Sequence, residues 1–168
     1  MALPKKEILL LFRITILFFL AIGLYGCGAS GPIYKQYSPK NSDAAVVYVY
    51  RPSRSVNCCV APTVYLNGSK QGSLKNGGYL VYELPSGEHK ITVGDGSYGF
   101  TAESVEVNLE QGEHYFLKWN IGPIQNMGDV VAVAMIGGVA PGQREYNLVQ
   151  VNPAVAKQEI SSLKLSSP

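Results

Sequence analysis

The sequence predicts an all-β fold: a small antiparallel β-sandwich, or a barrel-like form of it, with a short C-terminal helix and an N-terminal signal segment. Apolar residues make up 46% of the chain and charged residues only 15%, with eleven tyrosines and eighteen glycines. This composition favours a turn-rich β protein over a disordered chain. Short apolar runs alternate with turn signals and have no helical segments between them, as in sandwiches and barrels. A length of 168 residues suits one domain.

The first two elements are a central strand and a hairpin. The run AAVVYVYRP, residues 44–52, has apolar side chains on both faces, as a strand in the middle of a sheet does, and Pro52 ends it. In PTVYLNGSKQGSL, residues 62–74, Asn67 and Gly68 separate two short runs. Both residues tolerate a positive φ angle, so the pair predicts a tight hairpin.

Two further hairpins, a last strand and a helix follow. GGYLVYELPSGEHKITV, residues 77–93, alternates on both sides of a Pro-Ser-Gly turn, and ESVEVNLEQGEHYFLKWNI, residues 103–121, does the same around Gly112. EYNLVQV, residues 145–151, predicts the last strand. Asn152 followed by proline then predicts the start of a short helix, because asparagine caps helices and proline fits the first helical position.

The N-terminal segment has the features of a secretory signal. Two lysines and Arg13 precede ITILFFLAIGL, an uncharged run over residues 14–24. Eleven apolar residues match the hydrophobic part of a signal peptide, whereas a membrane span needs about twenty. A retained single-pass anchor over residues 8–25 stays open, with Arg13 reaching the membrane interface.

The motif LYGC, residues 24–27, resembles the bacterial lipoprotein signal. The resemblance implies that Leu24 and Gly26 form the cleavage motif, that the signal is removed after Gly26, and that Cys27 carries diacylglycerol and a further acyl chain such as palmitate. Tyr25 departs from the pattern, which prefers a small side chain there. The alternative is an ordinary thiol after a signal. The residue after the cysteine is Gly28 rather than Asp, and the resemblance to lipoproteins then implies the periplasmic face of the outer membrane if the cell has two membranes.

These features predict three parts of the chain. Residues 1–26 form the lipoprotein signal peptide, residues 27–43 the lipidated cysteine and a flexible Gly-, Ser- and Pro-rich tether, and residues 44–168 a single β-sandwich domain. The net charge of +2 resides in the signal, since eleven basic and eleven acidic side chains remain after residue 26. A neutral body without a basic stripe excludes nucleic-acid binding as a predicted function.

Several segments together resemble an uncharacterised bacterial lipoprotein family whose shared region is a domain of unknown function. These segments are VYVYRP, VYLNG, GSLKNGGYLVYELPSGEH, YFLKW and AVAKQEISSLKL, and they extend over residues 44–165. The resemblance implies a small β-sandwich of the kind seen in carbohydrate-binding or carboxypeptidase-appended modules. It transfers no catalytic residues, because the matching motifs are strands and turns.

The thiol chemistry of the domain rests on the adjacent pair Cys58 and Cys59. Neighbouring side chains in an extended chain point to opposite faces, which favours one buried and one exposed thiol; a redox-sensitive loop, a strained vicinal disulfide and intermolecular pairing remain alternatives. A zinc site built from these cysteines with His89 and His114 lacks the usual ligand spacing. A thiol enzyme using Cys59 with His89 or His114 has the residue types but no family signature. No metal site, cofactor or catalytic residue is therefore predicted.

Aromatic and apolar segments are the remaining candidates for binding. Most aromatic residues of the predicted strands and turns are expected in the core, and exposed ones could stack on sugars or anchor a protein. These residues are Tyr48, Tyr50, Tyr65, Tyr79, Tyr82, Tyr98, Tyr115 and Trp119. Residues 130–140 carry no charge and are too short to span a bilayer, so they are expected to form a buried strand and turn or an exposed apolar edge.

The sequence therefore predicts a lipid-anchored protein of the bacterial cell envelope that acts as a non-catalytic binding or assembly module. Its expected partners are the membrane, through the lipid, and an envelope protein or a second copy of the chain. The alternatives are the thiol enzyme and a module that binds cell-wall glycan through exposed aromatic side chains.

Overall fold

The computed structural model describes residues 28–55, 57–96, 101–121 and 146–166. Within these ranges the chain forms nine strands and one helix. The elements are β1 (Ala45–Arg51), β2 (Thr63–Leu66), β3 (Ser69–Ser73), β4 (Gly78–Leu84), β5 (Gly87–Val93), β6 (Glu103–Leu109), β7 (His114–Ile121), β8 (Tyr146–Gln150), α1 (Pro153–Ile160) and β9 (Lys164–Leu165).

The described strands form two sheets that face each other across the core. One sheet has the order β8-β7-β1-β4-β9 and the other has the order β3-β2-β5-β6. This arrangement confirms the predicted all-β, sandwich-like fold with a short C-terminal helix. The larger sheet is mixed, because β1 runs parallel to β7 and β4 runs parallel to β9. The second sheet is antiparallel, as predicted.

Three local predictions are confirmed. Strand β1 lies in the middle of its sheet and all seven of its residues are buried, which explains its apolar side chains on both faces. Asn67 and Gly68 have φ angles of 49° and 80° in the turn between β2 and β3. Asn152 caps α1, since its side-chain oxygen accepts a hydrogen bond from the Ala154 N–H at 2.9 Å.

The second and third predicted hairpins are wrong. Strands β4 and β5 are consecutive, but β4 pairs with β1 and β9 while β5 pairs with β2 and β6. Likewise β6 pairs with β5, and β7 pairs with β1 and β8. In both places the turn crosses from one sheet to the other, about 10 Å away. Side chains alternate inward and outward in the same way in either arrangement, so the sequence pattern could not separate a hairpin from a crossing.

Two apolar clusters account for the alternation. The first fills the space between the sheets, and the second lies between the outer face of the larger sheet and α1. Strand β1 supplies both, with Val47 and Val49 in the first cluster and Tyr48 and Tyr50 in the second. The helix supplies Ala156 and Ile160 to the second cluster.

Residues 28–37 lie against the domain, which differs from the flexible tether expected over residues 27–43. The Gly31 N–H donates to the Leu165 carbonyl at 3.1 Å, and the Leu165 N–H donates to the Pro32 carbonyl at 2.8 Å. The Tyr34 N–H donates to the Leu163 carbonyl at 2.9 Å, and the rings of Tyr34 and Tyr37 pack on the outer apolar cluster. Burial of two aromatic rings favours a docked segment over a free one.

Some predictions concern residues outside the described ranges. These are the signal peptide over residues 1–26 with Leu24 and Gly26, the lipid attachment residue Cys27, Tyr98, and the apolar run over residues 130–140. Within the described part of the chain, no helix has the length and apolar character needed to cross a bilayer.

Candidate functional site

One end of the sandwich contacts Gly28 and Ala29. Strand β1 ends where β4 begins, with Arg51 paired to Gly78; we call this end the base. Gly28 forms a bridge with Asn76, and the Ala29 N–H donates to the Asn76 carbonyl at 3.0 Å. Gly28 and Ala29 therefore lie at the base.

A groove runs along the second half of β4. It has a volume of about 490 Å³, and we call it the β4 groove. Its lining residues are Tyr37, Leu66, Asn67, Ser69, Gln71, Val81, Tyr82, Glu83 and Leu84. Four of these are consecutive residues of one strand, whose side chains alternate between opposite faces. A cavity touches all four when it follows the edge of the strand, so the β4 groove exposes the backbone as well as side chains.

The edge of β4 beside this groove has unpaired backbone groups. The Ser166 N–H donates to the Tyr79 carbonyl at 2.8 Å, so the backbone groups of Tyr79 point away from β1. Because this direction repeats every second residue, the N–H and C=O groups of Val81 and Glu83 point the same way. Strand β9 pairs with Gly78 and Tyr79 only, and within the described residues nothing bonds the outward groups of Val81 and Glu83.

The side chains of Glu83 and Tyr82 lie on opposite faces of β4 at this edge. Glu83 accepts hydrogen bonds from the Tyr37 hydroxyl and from the Lys40 N–H, the latter at 3.1 Å, and these bonds lower its pKa. The same contact with Glu83 raises the pKa of Tyr37. On the inner face, the buried Tyr82 hydroxyl has no hydrogen-bond partner among the described residues, and burial raises its pKa.

His89 belongs to a smaller neighbouring cavity. This cavity, of about 260 Å³, is lined by Asn67, Glu88, His89, Lys90 and Glu106. The His89 ring lies between the Asn67 side-chain amide and the Pro85 carbonyl, 3.0 Å from each. Asn67 also accepts from the Lys90 N–H at 2.9 Å. The histidine is therefore held by the turns of the first hairpin and of the β4–β5 connection.

The cysteine pair lies in the loop between β1 and β2, at the base. Cys58 is half-buried, Cys59 is exposed, and their Sγ atoms are 3.3 Å apart. This distance exceeds the S–S bond length of about 2.05 Å, so no disulfide joins them. The favoured expectation is one buried and one exposed cysteine; Cys59 is exposed, whereas Cys58 is only half-buried.

Arg51 holds this loop from inside the domain. It is only 2% exposed, and its guanidinium donates to the carbonyls of Val60 and Asn57 and lies 5.2 Å from the centre of the Trp119 ring. Burial lowers the pKa of Arg51 to about 10. Two carbonyl contacts and the aromatic face compensate part of the desolvation of this charge.

The structure does not bring Cys59 together with His114, nor with His89, which lies between Asn67 and Pro85 at the end opposite the base. Arg51 bonds to residues on both sides of the cysteine pair, whereas His114 pairs with Val46, five residues earlier in β1. At a rise of about 3.3 Å per residue, these positions are roughly 17 Å apart along the strand. In the described ranges, no group of three or more His, Cys, Asp or Glu side chains is placed to hold a metal ion.

The predicted aromatic candidates are mostly core residues. Tyr48, Tyr50, Tyr79 and Trp119 are each at most 5% exposed. Tyr48 stacks on Phe116 with ring centres 4.8 Å apart. Sugar stacking on a sheet surface therefore finds no support from these four side chains. Tyr37 and Tyr82 line the β4 groove.

Sequence reasoning missed two polar groups of the outer layer and the base. Glu159 of α1 accepts hydrogen bonds from the Tyr50 hydroxyl and the Lys118 ammonium, both at 2.6 Å. Burial alone would raise the pKa of Glu159, but these two bonds lower it. Arg51 could have been found as the charged residue at the end of an apolar run just before a proline.

A family model described as "Protein of unknown function (DUF2846)" matches residues 41–133, more than half of the chain. The chain belongs to this family. The DUF2846 match includes β1 to β7, the cysteine pair and the residues of the β4 groove except Tyr37. No curated protein matches the chain.

Proposed function

We propose that this DUF2846 protein is a lipid-anchored component of the bacterial cell envelope, attached through Cys27, that binds an extended polypeptide segment of an envelope partner. The binding is non-catalytic and serves assembly or scaffolding. If the cell has two membranes, the domain faces the periplasm from the outer membrane.

The observation that carries this proposal is the open edge of β4 beside the β4 groove. Outward N–H and C=O groups at Val81 and Glu83 suit the backbone of an added strand, which makes hydrogen bonds without regard to side chains. Gly78 and Tyr79, earlier in the same strand, already pair with β9 in this way. A strand added beyond β9 would extend a pairing that the edge already makes.

The side chains around the groove add selectivity. Two amide side chains line the groove: Asn67, which is bonded to His89 and to the Lys90 N–H, and Gln71, which donates to the Ser69 carbonyl. The side-chain oxygen of Gln71 can accept from a peptide N–H. A glycan ligand would favour aromatic platforms, which the buried tyrosines do not provide.

The anchor is supported by the position of the chain at the base. Gly28 and Ala29 bond to Asn76, so a lipid on Cys27 would hold the domain close to the bilayer surface. Two or three acyl chains give stable attachment, whereas one alone is marginal.

Crosslinking in the native cells tests both parts of the proposal. The full-length tagged protein is compared with Cys27→Ala, Val81→Pro and Val81→Thr. Proline removes the outward N–H of an edge residue without removing a bond inside the sheet, and threonine keeps that N–H. We expect a discrete partner adduct with the wild type and with Val81→Thr, and its loss with Val81→Pro.

Three results would count against the proposal. An adduct that Val81→Pro leaves unchanged would place the partner elsewhere on the domain. If Cys27→Ala keeps the N-terminal modification and the membrane attachment of the wild type, Cys27 is not the residue that carries the lipid. Binding to peptidoglycan that is insensitive to Val81→Pro would favour the glycan alternative.

A further inference from the structure

Three cations gather at the base around the residues that hold the start of the domain. The Arg54 N–H donates to the Asn76 side chain at 2.9 Å, and Asn76 donates back to the Arg54 carbonyl at 2.9 Å. Lys75 directly precedes Asn76, and the Lys164 N–H donates to the Gly77 carbonyl at 3.1 Å. Arg54 and Lys164 are exposed and Lys75 is half-buried.

An exposed apolar side chain borders these cations. Ile33 is 57% exposed and forms a bridge with Lys164. We call Ile33, Arg54, Lys75 and Lys164 the base patch. A surface that joins cations to an exposed aliphatic side chain suits the headgroup region of a bilayer, where the charges meet lipid phosphates and the apolar group reaches the acyl boundary.

The charge of the domain changes sign along the strands. Carboxylates concentrate at the end opposite the base, where β1 and β7 begin and β4 and β6 end. They are Asp43, Glu83, Glu88, Glu110 and Glu113, and they outnumber the lysines of that end, Lys40, Lys70 and Lys90. The base of the smaller sheet carries Asp95 and Glu103, so the positive surface belongs to the base of the larger sheet, next to Gly28. An anionic lipid surface would attract the base patch and repel the opposite end.

We propose that the base patch rests on anionic lipid headgroups and fixes the orientation of the domain on the membrane. This inference builds on the proposed lipid at Cys27, which brings the patch to the surface. In this orientation β4 points away from the bilayer from Gly78 to Leu84, and the β4 groove, beside Val81 to Leu84, lies on the side open to a partner.

Hydrogen exchange on the full-length protein in liposomes tests the orientation. The protein is reconstituted in phosphatidylcholine alone and in phosphatidylcholine with about one third phosphatidylglycerol, an anionic lipid. We expect slower exchange over residues 52–55, 75–78 and 162–166 in the anionic liposomes only. High salt should remove this difference, because it screens exposed charges.

Two charge variants separate the patch from a general charge effect. The first is Arg54→Gln with Lys75→Gln and Lys164→Gln. The matched control is Lys40→Gln with Lys70→Gln and Lys90→Gln, which removes the same charge away from the base. Each lost base cation should weaken the contact about fivefold, since a cation near an anionic surface contributes about 1 kcal/mol. The control variant should keep the wild-type protection.

Equal hydrogen exchange over the base residues in both kinds of liposome would overturn the orientation. An equal loss of protection in the base variant and in the control variant would overturn it too. The mass of the N-terminal peptide, read in the same experiment, tests the lipid on Cys27 separately. A lipidated chain with an unprotected base overturns the patch and keeps the anchor. A chain without lipid whose base is still protected overturns the anchor and keeps the patch. The salt dependence of the wild type decides the outcome even if the base variant does not fold.

Discussion

Replacement of Gly31 by alanine should release the N-terminal segment from the domain. A Cβ atom at this position would lie 2.5 Å from the Leu165 carbonyl oxygen and 2.9 Å from the Leu165 Cβ. The first of these is a backbone atom, so rotation of a side chain cannot relieve the contact. The segment and β9 must therefore move apart.

The size of the effect follows from the hydrogen bonds between these two segments. The Gly31–Leu165 and Leu165–Pro32 backbone bonds, at 3.1 and 2.8 Å, are lost when they separate. Each bond contributes about 0.5–1.5 kcal/mol, so their loss amounts to roughly 1–3 kcal/mol. Alanine also restricts the unfolded chain, which returns about 0.4–1 kcal/mol. We expect Gly31→Ala to destabilise the docked segment by about 1–2 kcal/mol.

Gly28→Ala is the matched control, because a Cβ there would meet only the Asn76 carbonyl oxygen, at an ordinary 3.5 Å. Hydrogen exchange should show faster exchange at Gly31, Tyr34 and Leu165 in Gly31→Ala and wild-type exchange in Gly28→Ala. Urea unfolding, followed through the single tryptophan, Trp119, reports the change in the core. Equal exchange in both variants would refute the docking of residues 28–37.

Three further predictions concern the layers of the sandwich. Glu159→Gln should lower the free energy of unfolding at neutral pH by about 1 kcal/mol, because it weakens the bonds from Tyr50 and Lys118. The pKa of Glu159 is lower in the folded state than in the unfolded state. The ionised carboxylate therefore stabilises the fold above about pH 4.3, and this contribution is lost as the pH falls through the folded-state pKa. In acid, the free energies of unfolding of wild type and variant, measured in urea, should converge. Tyr82→Phe should leave stability unchanged or raise it by up to about 1 kcal/mol in urea unfolding, because it removes a buried hydroxyl without a described partner; a large loss would mean that the hydroxyl is bonded. Leu117→Ala should cost about 2–5 kcal/mol in the same assay, since Leu117 is fully buried between the sheets, and a cost below about 1 kcal/mol would contradict that packing.

Local sequence signals predicted the parts of the fold that depend on neighbouring residues. The Asn67-Gly68 turn and the Asn152 cap follow from backbone conformation within two or three residues, and the structure contains both. The buried strand β1 follows from composition alone. These features need no information about distant parts of the chain.

Sheet membership could not be predicted in the same way. Leu80 of β4 and Ile91 of β5 both enter the cluster between the sheets, so their inward pattern is the same whether the strands pair or face each other. The docking of residues 28–37 depends on Tyr34 meeting Tyr48 and Tyr79, with ring centres 5.5 and 5.6 Å apart, which are contacts across the fold. The candidate site has the same limitation, because an open strand edge becomes visible only once the strand order is known.

The two parts of β4 differ in how their outer edge is protected. Natural sheets usually cover or charge an exposed edge, because unpaired backbone groups invite strands from other chains. The first part of β4 is covered, since β9 pairs with Gly78 and Tyr79. The later part carries one charge, Glu83, whose carboxylate is already held by Tyr37 and Lys40 on the outer face.

This arrangement predicts different outcomes for a functional edge and for an edge that is only tolerated. If the edge of β4 has no partner, Val81→Pro should change aggregation at most and leave every crosslinked adduct in place. If the edge binds a partner, the same variant should remove the adduct while the unfolding midpoint of the domain stays near that of Val81→Thr. The proposed anchor at the base would strengthen this contrast, because a domain held at a membrane would meet partners in the same layer at a high effective concentration. At such a concentration, the few backbone bonds that Val81 and Glu83 offer would need to supply less affinity than in free solution.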